Sequence, residues 1–178
     1  MEKVKTKKPI ICLITGPAGA GKTSVSKVLA EKFERSAVIN VDYLRKLIVG
    51  GYIKPYPWNE KVKIQTSLEV KNACMLANNF LDAGFNVIID HVIGQTLLKQ
   101  YSEFFHDKSI KVFLLLPKLE ILLKRFDQRG VNDGLRKRTP ELHEKFTSLK
   151  DKPGWVVIDS SNQTVEETTD FIFNELNK

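Results

Sequence analysis

The segment Gly16-Pro17-Ala18-Gly19-Ala20-Gly21-Lys22-Thr23 narrows most what this chain can fold into. It has the pattern G-x-x-x-x-G-K-[ST]. It follows an apolar run rich in β-branched residues, Pro9 to Thr15, and opens a helical stretch expected over Lys22 to Arg35. Glycines let the backbone curl until successive N–H groups point at one anion. The following helix adds its positive N-terminal end. Lys22 supplies a mobile positive charge for the β- and γ-phosphates, and the Thr23 hydroxyl suits Mg²⁺. Gly16 to Ser24 is therefore the candidate nucleotide site, and the expected ligands are ATP and Mg²⁺.

A strand before the loop and a helix after it begin an alternation that runs along the chain. Strands are expected at Ser36–Val41, Asn86–Asp90, Ile110–Leu116 and Trp155–Asp159. Helices are expected at Tyr43–Val49, from Asn59 to Gly84, at Gln95–Phe105, at Lys118–Arg129, from Pro140 onward, and from Val165 to the end. Tyr52 to Trp58, with two prolines and three aromatics, reads as a loop. Gly130 to Thr139 reads as a mobile loop, with Pro140 in the first turn of the next helix. Five apolar strands separated by helices imply an α/β fold, with a parallel sheet covered on both faces. At 178 residues, one domain accommodates all of it.

Composition excludes several alternatives. Hydrophobic residues make up 42% and charged residues 28%, which rules out a largely disordered chain. Two cysteines, Cys12 and Cys74, provide neither a disulfide framework nor a four-ligand zinc site. No apolar run is long enough to span a bilayer, and the basic N-terminus has no apolar segment behind it, so a soluble cytoplasmic protein is expected. The net charge of +7 is concentrated. Residues 1–8 carry four lysines against Glu2, a tail expected to fray. Residues 124–138 carry six basic residues against Asp127 and Asp133.

In a doubly wound sheet, ligands sit beyond the carboxyl ends of the strands. Asp42 follows the second strand and Asp90 ends the third, so both belong to the nucleotide end. One carboxylate is needed to hold the metal and one to take the acceptor's proton. Asp90 is the candidate metal partner with Thr23, and Asp42 the candidate base. Against this stand Asp42 as a helix cap and Asp90 as a polar residue closing a strand. Arg45, one turn beyond Asp42, can face the same site, or form a surface ion pair of little worth. His91 adjoins Asp90, but a lone histidine is more often structural. Arg125 and Arg129 share a helix face, and Arg136 and Arg138 follow across the loop. Such a segment suits a lid that neutralises charge during transfer, or a solvated charged helix end. A nucleic-acid surface ranks lower, because only Phe126 interleaves the basic residues. Tyr52 to Trp58 suits an aromatic wall for an acceptor as well as core packing.

In order, GPAGAGKT, VDYLR, NVIID, LLP–LEILLKRFDQRG and RKRTPELHEKF resemble the small P-loop kinases, over about Pro9 to Leu176. The resemblance is nearest to the chloramphenicol phosphotransferase and zeta-toxin-like branch, with shikimate and gluconate kinases as cousins. It implies a three-layer fold with a five-stranded parallel sheet in the order 2-3-1-4-5, and a lid at about residues 129–140. It implies that Asp42 is the general base and that Arg125 lies on the adenine side. Arg129, Arg136 or Arg138 would reach the phosphates, and Ser160 to Gln163 would border the adenine. No acceptor-specific signature for shikimate, gluconate, a nucleoside monophosphate or chloramphenicol is present. The expected activity is transfer of the γ-phosphate of Mg-ATP to a hydroxyl of a small molecule. The catalytic set is Lys22, Asp42, Arg45 and Arg129, and the nucleotide-binding set adds Arg125 and Arg136. A polynucleotide 5′-hydroxyl kinase and a regulatory ATP-binding protein are the alternatives. The oligomeric state is open.

Overall fold

The computed structural model describes residues 3–129 and 133–178. Its five strands are β1 (Ile11–Thr15), β2 (Ser36–Asn40), β3 (Asn86–Asp90), β4 (Ile110–Leu115) and β5 (Trp155–Ile158). They form one parallel sheet in the order β2-β3-β1-β4-β5. The helices are α1 (Lys22–Glu31), α2 (Val41–Lys46), α3 (Glu60–Asp82), α4 (Gln95–Phe104), α5 (Leu119–Arg129), α6 (Asp133–Thr147) and α7 (Val165–Leu176).

Each central strand is apolar without interruption because both of its faces are covered. Ile11 and Leu13 of β1 join Val87 and Ile89 of β3 and Val112 and Leu114 of β4 in one core, together with Val70, Ala73 and Tyr101 from α3 and α4. The alternate residues Cys12, Ile14, Ile88, Phe113 and Leu115 face the other way, onto Val25 and Leu29 of α1 and Ile172 of α7. Cys12 and Cys74 are buried free thiols.

Parallel register aligns the carboxyl ends of the strands. Ile14 and Asn40 both stand opposite Asp90, so the residues that leave β1, β2 and β3 emerge side by side. At the other end of the sheet, buried Asn86 ties three segments together. Its Oδ1 accepts from the Thr6 hydroxyl and the Ile10 amide, each at 3.0 Å, and its Nδ2 donates to the Arg35 carbonyl.

Three local expectations are corrected. The basic tail is anchored rather than frayed at Val4, whose amide donates to the Lys32 carbonyl at 2.8 Å and whose carbonyl accepts from the Glu34 amide. Asp42 is not a helix cap: β2 runs straight into α2, so Asn40 occupies the cap position, with no side-chain cap bond, and Asp42 lies in the first turn. Pro140 is interior to α6 rather than at its start. It forfeits one backbone bond, to the Arg136 carbonyl, on an exposed face. The expected loop therefore turns helical from Asp133, and its residues 130–132 lie outside those described.

α7 is set by a capping box: Thr164 accepts from the Glu167 amide, and the Glu167 side chain accepts from the Thr164 amide. Thr164→Ala is expected to cost about 1 kcal/mol, and Leu13→Ala, at a fully buried position of the central strand, about 3 kcal/mol. Both should appear as lower midpoints of urea unfolding at unchanged slope.

Candidate functional site

The glycine loop connects β1 to α1, and three of its glycines, Gly16, Gly19 and Gly21, have positive φ. Gly16 has φ +140°, and a Cβ there would lie 2.2 Å from the Leu115 carbonyl oxygen of β4, so any side chain would push the loop off the sheet. Gly21 occupies the cap of α1 in the left-handed region, φ 98°, where side chains are strained. The buried Lys22 folds back over the loop, its Nζ donating to the carbonyls of Gly16 at 3.1 Å and Pro17 at 3.2 Å.

Beneath the loop, Asp90 is 4% exposed. Its Oδ2 accepts from the Thr23 hydroxyl at 2.6 Å and from the Asn40 amide at 2.8 Å. Burial raises the Asp90 carboxyl above the usual range; Lys22, Thr23 and Asn40 oppose the rise, and the nearby Asp42 charge adds to it. Thr23 and Asp90 therefore converge on one point, as the sequence places them. The buried Asn40 Oδ1 has no partner among the described residues. A hydroxyl and a carboxylate within hydrogen-bond reach, beside a lysine, are the oxygen donors that a Mg²⁺ on a nucleotide requires.

On the other side of the loop, Gly19, Gly21, Ser24, Arg125, Gln128, Ser160 and Gln163 border a cleft of about 200 Å³ that continues to Thr164 and Thr168 on α7. Arg125 is fixed there by the Ser160 carbonyl at 3.1 Å and by the loop carbonyls of Gly19 and Ala20 at 3.5 and 3.4 Å. The buried Ser160 hydroxyl has no partner among the described residues. This cleft adjoins the phosphate loop.

Asp42 is exposed on α2, near enough to raise the carboxyls of both Asp90 and Glu69. Arg45 is not a surface ion-pair residue. It is 6% exposed, pairs through Nε with the Glu69 carboxylate, and donates to the Thr66 hydroxyl at 2.8 Å and the Ile53 carbonyl at 3.1 Å. Glu69 is itself buried; desolvation pushes its carboxyl up and Arg45 pulls it back. Its second oxygen lies 3.9 Å from His91 Nε2, while His91 Nδ1 meets the Tyr101 hydroxyl at 3.0 Å. Burial, with Lys22 and Arg45 nearby, pushes His91 down to about 3, so the ring is neutral near pH 7. Arg45 and His91 thus belong to one buried network with Glu69, Thr66 and Tyr101, packed behind Asp42 and Asp90. Glu69, Tyr101 and Asn40 are absent from the sequence-based set. A carboxylate on the buried face of α3, between Thr66 and Val70, was the available signal, because a buried charge requires a partner.

The remaining arginines diverge. Arg136 makes a two-pronged pair with Asp127 of α5 at 2.6 and 3.1 Å, which holds the Asp127 carboxyl below its usual range. Arg138 lies 3.4 Å from the centre of the Tyr56 ring. Tyr52, Tyr56 and Trp58 are 44, 48 and 60% exposed, so this loop is not core packing. The Arg129 side chain lies outside the described residues.

A five-stranded parallel sheet in this order, with a glycine loop between β1 and α1, is the fold of the small P-loop kinases. The chain belongs to the AAA_18 family, described as an AAA domain, whose pattern matches residues 12–146. A cytidylate kinase of Clostridium botulinum (strain Okra / Type B1) is 24% identical, over 93% of this chain and 96% of its own length. The tunicamycin resistance protein of Deinococcus radiodurans superposes with a TM-score of 0.67 at 21% identity, over 96% of both chains. A gluconokinase of Sinorhizobium meliloti 1021 superposes with a TM-score of 0.70 at 16% identity, over 97% of this chain and 94% of its own. P-loop kinases of this kind use ATP and Mg²⁺. Among the described residues, no helix is long and apolar enough to cross a membrane.

Gly16→Ala should weaken Mg-ATP binding at least tenfold by titration calorimetry, about 1.4 kcal/mol, because the added Cβ and the Leu115 carbonyl cannot share the space. Asn40→Ala should leave ATP binding in EDTA unchanged and reduce the gain in affinity on adding Mg²⁺ several-fold, because Asp90 loses one of its two positioning donors.

Proposed function

We propose that the protein transfers the γ-phosphate of Mg-ATP to a hydroxyl of a small molecule. The observation that carries this reading is the placement of two carboxylates around one phosphate loop. Buried Asp90 is hydrogen-bonded to Thr23, and exposed Asp42 stands near it on α2, after the neighbouring strand β2.

The loop amides and Lys22 bind the phosphates, with Lys22 released from the Gly16 and Pro17 carbonyls. Thr23 and Asp90 are the residues for Mg²⁺, which when bound neutralises charge on the β- and γ-phosphate oxygens. Arg125 and the Ser160–Gln163 segment flank the nucleoside. Asp42 takes the proton of the acceptor hydroxyl as its oxygen bonds to the γ-phosphorus. The bond from that phosphorus to the β–γ bridging oxygen breaks, and ADP leaves. Arg45 acts from behind: clamped by Glu69, Thr66 and Ile53, it holds α2 against α3 and so fixes Asp42. Arg129 and Arg136 are assigned to the phosphates; for Arg136 this requires exchange of its Asp127 partner for a phosphate. Closure of α6 over the site would do this while excluding water.

The Asp127–Arg136 pair commits one arginine of the basic segment, which favours a small acceptor over a polynucleotide.

Asp42→Asn should lower the rate of phosphoryl transfer from γ-labelled ATP into a metabolite extract by 100-fold or more and change ATP affinity by no more than a few-fold. Lys22→Ala serves as the blank. Normal transfer by the Asp42 variant would remove the base assignment. Label recovered only as inorganic phosphate would leave an ATPase.

A further inference from the structure

A second cleft, of about 330 Å³, opens beside the catalytic end of the sheet. Trp58, Ile93, Leu97, Leu142, Phe146 and Leu149 form its walls. We infer that this groove holds the body of the acceptor, and that the acceptor is an uncharged alcohol with a compact apolar body. The inference rests on the phosphotransfer reading and adds the class of molecule that receives the phosphate.

Four observations support it. The first is continuity with the chemistry. Ile93 lies three residues beyond Asp90, and its amide donates to the Thr15 hydroxyl at 3.0 Å. Thr15 directly precedes Gly16, so the floor of the groove is tied to the root of the phosphate loop. The second is charge. Lys145 is the one charged residue on the lining, and its Nζ lies 2.7 Å from Glu141 Oε1. Among the described residues, a phosphate or carboxylate on the acceptor would meet a single lining cation, Lys145, already paired with Glu141. The third is exposed apolar surface at the mouth. Trp58 is 60% exposed and Val92 36%, whereas Phe146 and Ile93 behind them are buried. An apolar occupant covers the indole face and removes that surface from water. The fourth is enclosure. Arg138 of α6 stacks on Tyr56, two residues before Trp58, which latches the α6 wall to the aromatic loop. The volume falls at the lower end of the roughly 300–1,000 Å³ that small-molecule sites occupy.

The groove also has a polar end. Gly94 gives α4 no side-chain cap, so the first amides of the helix lack intrahelical partners. Gln95 and Thr96 of that turn line the groove. An ether, carbonyl or second hydroxyl oxygen on the occupant is suited to those donors.

The test is nuclear magnetic resonance of the full-length chain with defined probes: cyclohexylmethanol and benzyl alcohol against glycerol, inorganic phosphate and cytidine monophosphate. The two apolar alcohols should produce saturable shifts at the Trp58 indole and the Leu142 and Leu149 methyls. Glycerol, phosphate and the nucleotide should bind there at least tenfold more weakly. Leu142→Glu should weaken the alcohols tenfold or more. Trp58→Ala, on an exposed loop where folding is not at risk, should weaken them several-fold. Tighter binding of the nucleotide or phosphate in the groove, or alcohol shifts confined to other surfaces, would overturn the proposal. Transfer of phosphate from ATP to the same probes, with Lys22→Ala as blank, separates the two readings. Alcohols that occupy the groove without forming a phosphate ester leave the groove assignment standing and count against phosphotransfer. Lys22-dependent transfer to an anionic acceptor that leaves the groove signals unmoved overturns the groove assignment and leaves phosphotransfer standing.

Discussion

The hydrogen bond from the Thr23 hydroxyl to the buried Asp90 carboxylate is the contact on which the rest of this structure turns. It joins the first turn of α1 to the end of β3, across the loop that leaves β1. Three elements distant in sequence must be in register for it to form. The parallel sheet provides that register by bringing Asn40, Ile14 and Asp90 to one level. A carboxylate removed from water is costly unless it is hydrogen-bonded. Asn40 and Thr23 supply those bonds and the nearby Lys22 charge opposes the shift, so the site's anion is stabilised by the same groups that surround its metal position.

Behind this contact lies a second polar layer with a different purpose. Arg45, Glu69, Thr66, His91 and Tyr101 form a buried network joining α2, α3, β3 and α4. Removing one partner of such a pair costs more than the pair contributes, because the other charge is stranded. The network therefore specifies an arrangement: α2 is fixed against α3, and with it the position of Asp42. Arg45 thus acts through α2, the helix that carries Asp42.

Much of this was legible in the sequence for plain physical reasons. The glycine loop is local: eight consecutive residues carry its pattern, and its contacts with Leu115, Asp90 and Arg125 tie it to the rest of the fold. The strands were visible because doubly covered strands are apolar throughout, and the sheet order followed from the resemblance to small P-loop kinases. Asp90 was visible as a carboxylate at a strand end. Errors arose where neighbours competed. Asp42 was weighed as a cap, but β2 passes into α2 without a linker and moves the cap to Asn40. The charged stretch after Arg129 reads as a loop on account of its glycines and charges, yet from Asp133 it is helical, and buried Phe146 anchors that helix in the core.

The sequence alone determined the phosphate loop and the strand–helix alternation and placed Asp42 and Asp90 at strand ends, since each is encoded in residues close along the chain. The tertiary structure alone decided which of them meet. Asn40 on Asp90, Glu69 on Arg45, Arg125 on Ser160 and Arg138 on Tyr56 join residues between 24 and 82 positions apart. Side chains so far apart are brought together by sheet register and helix packing, which no local pattern records. The acceptor groove is of the same kind. Trp58, Ile93 and Phe146 carry no common motif, and their shared wall exists only in the folded chain.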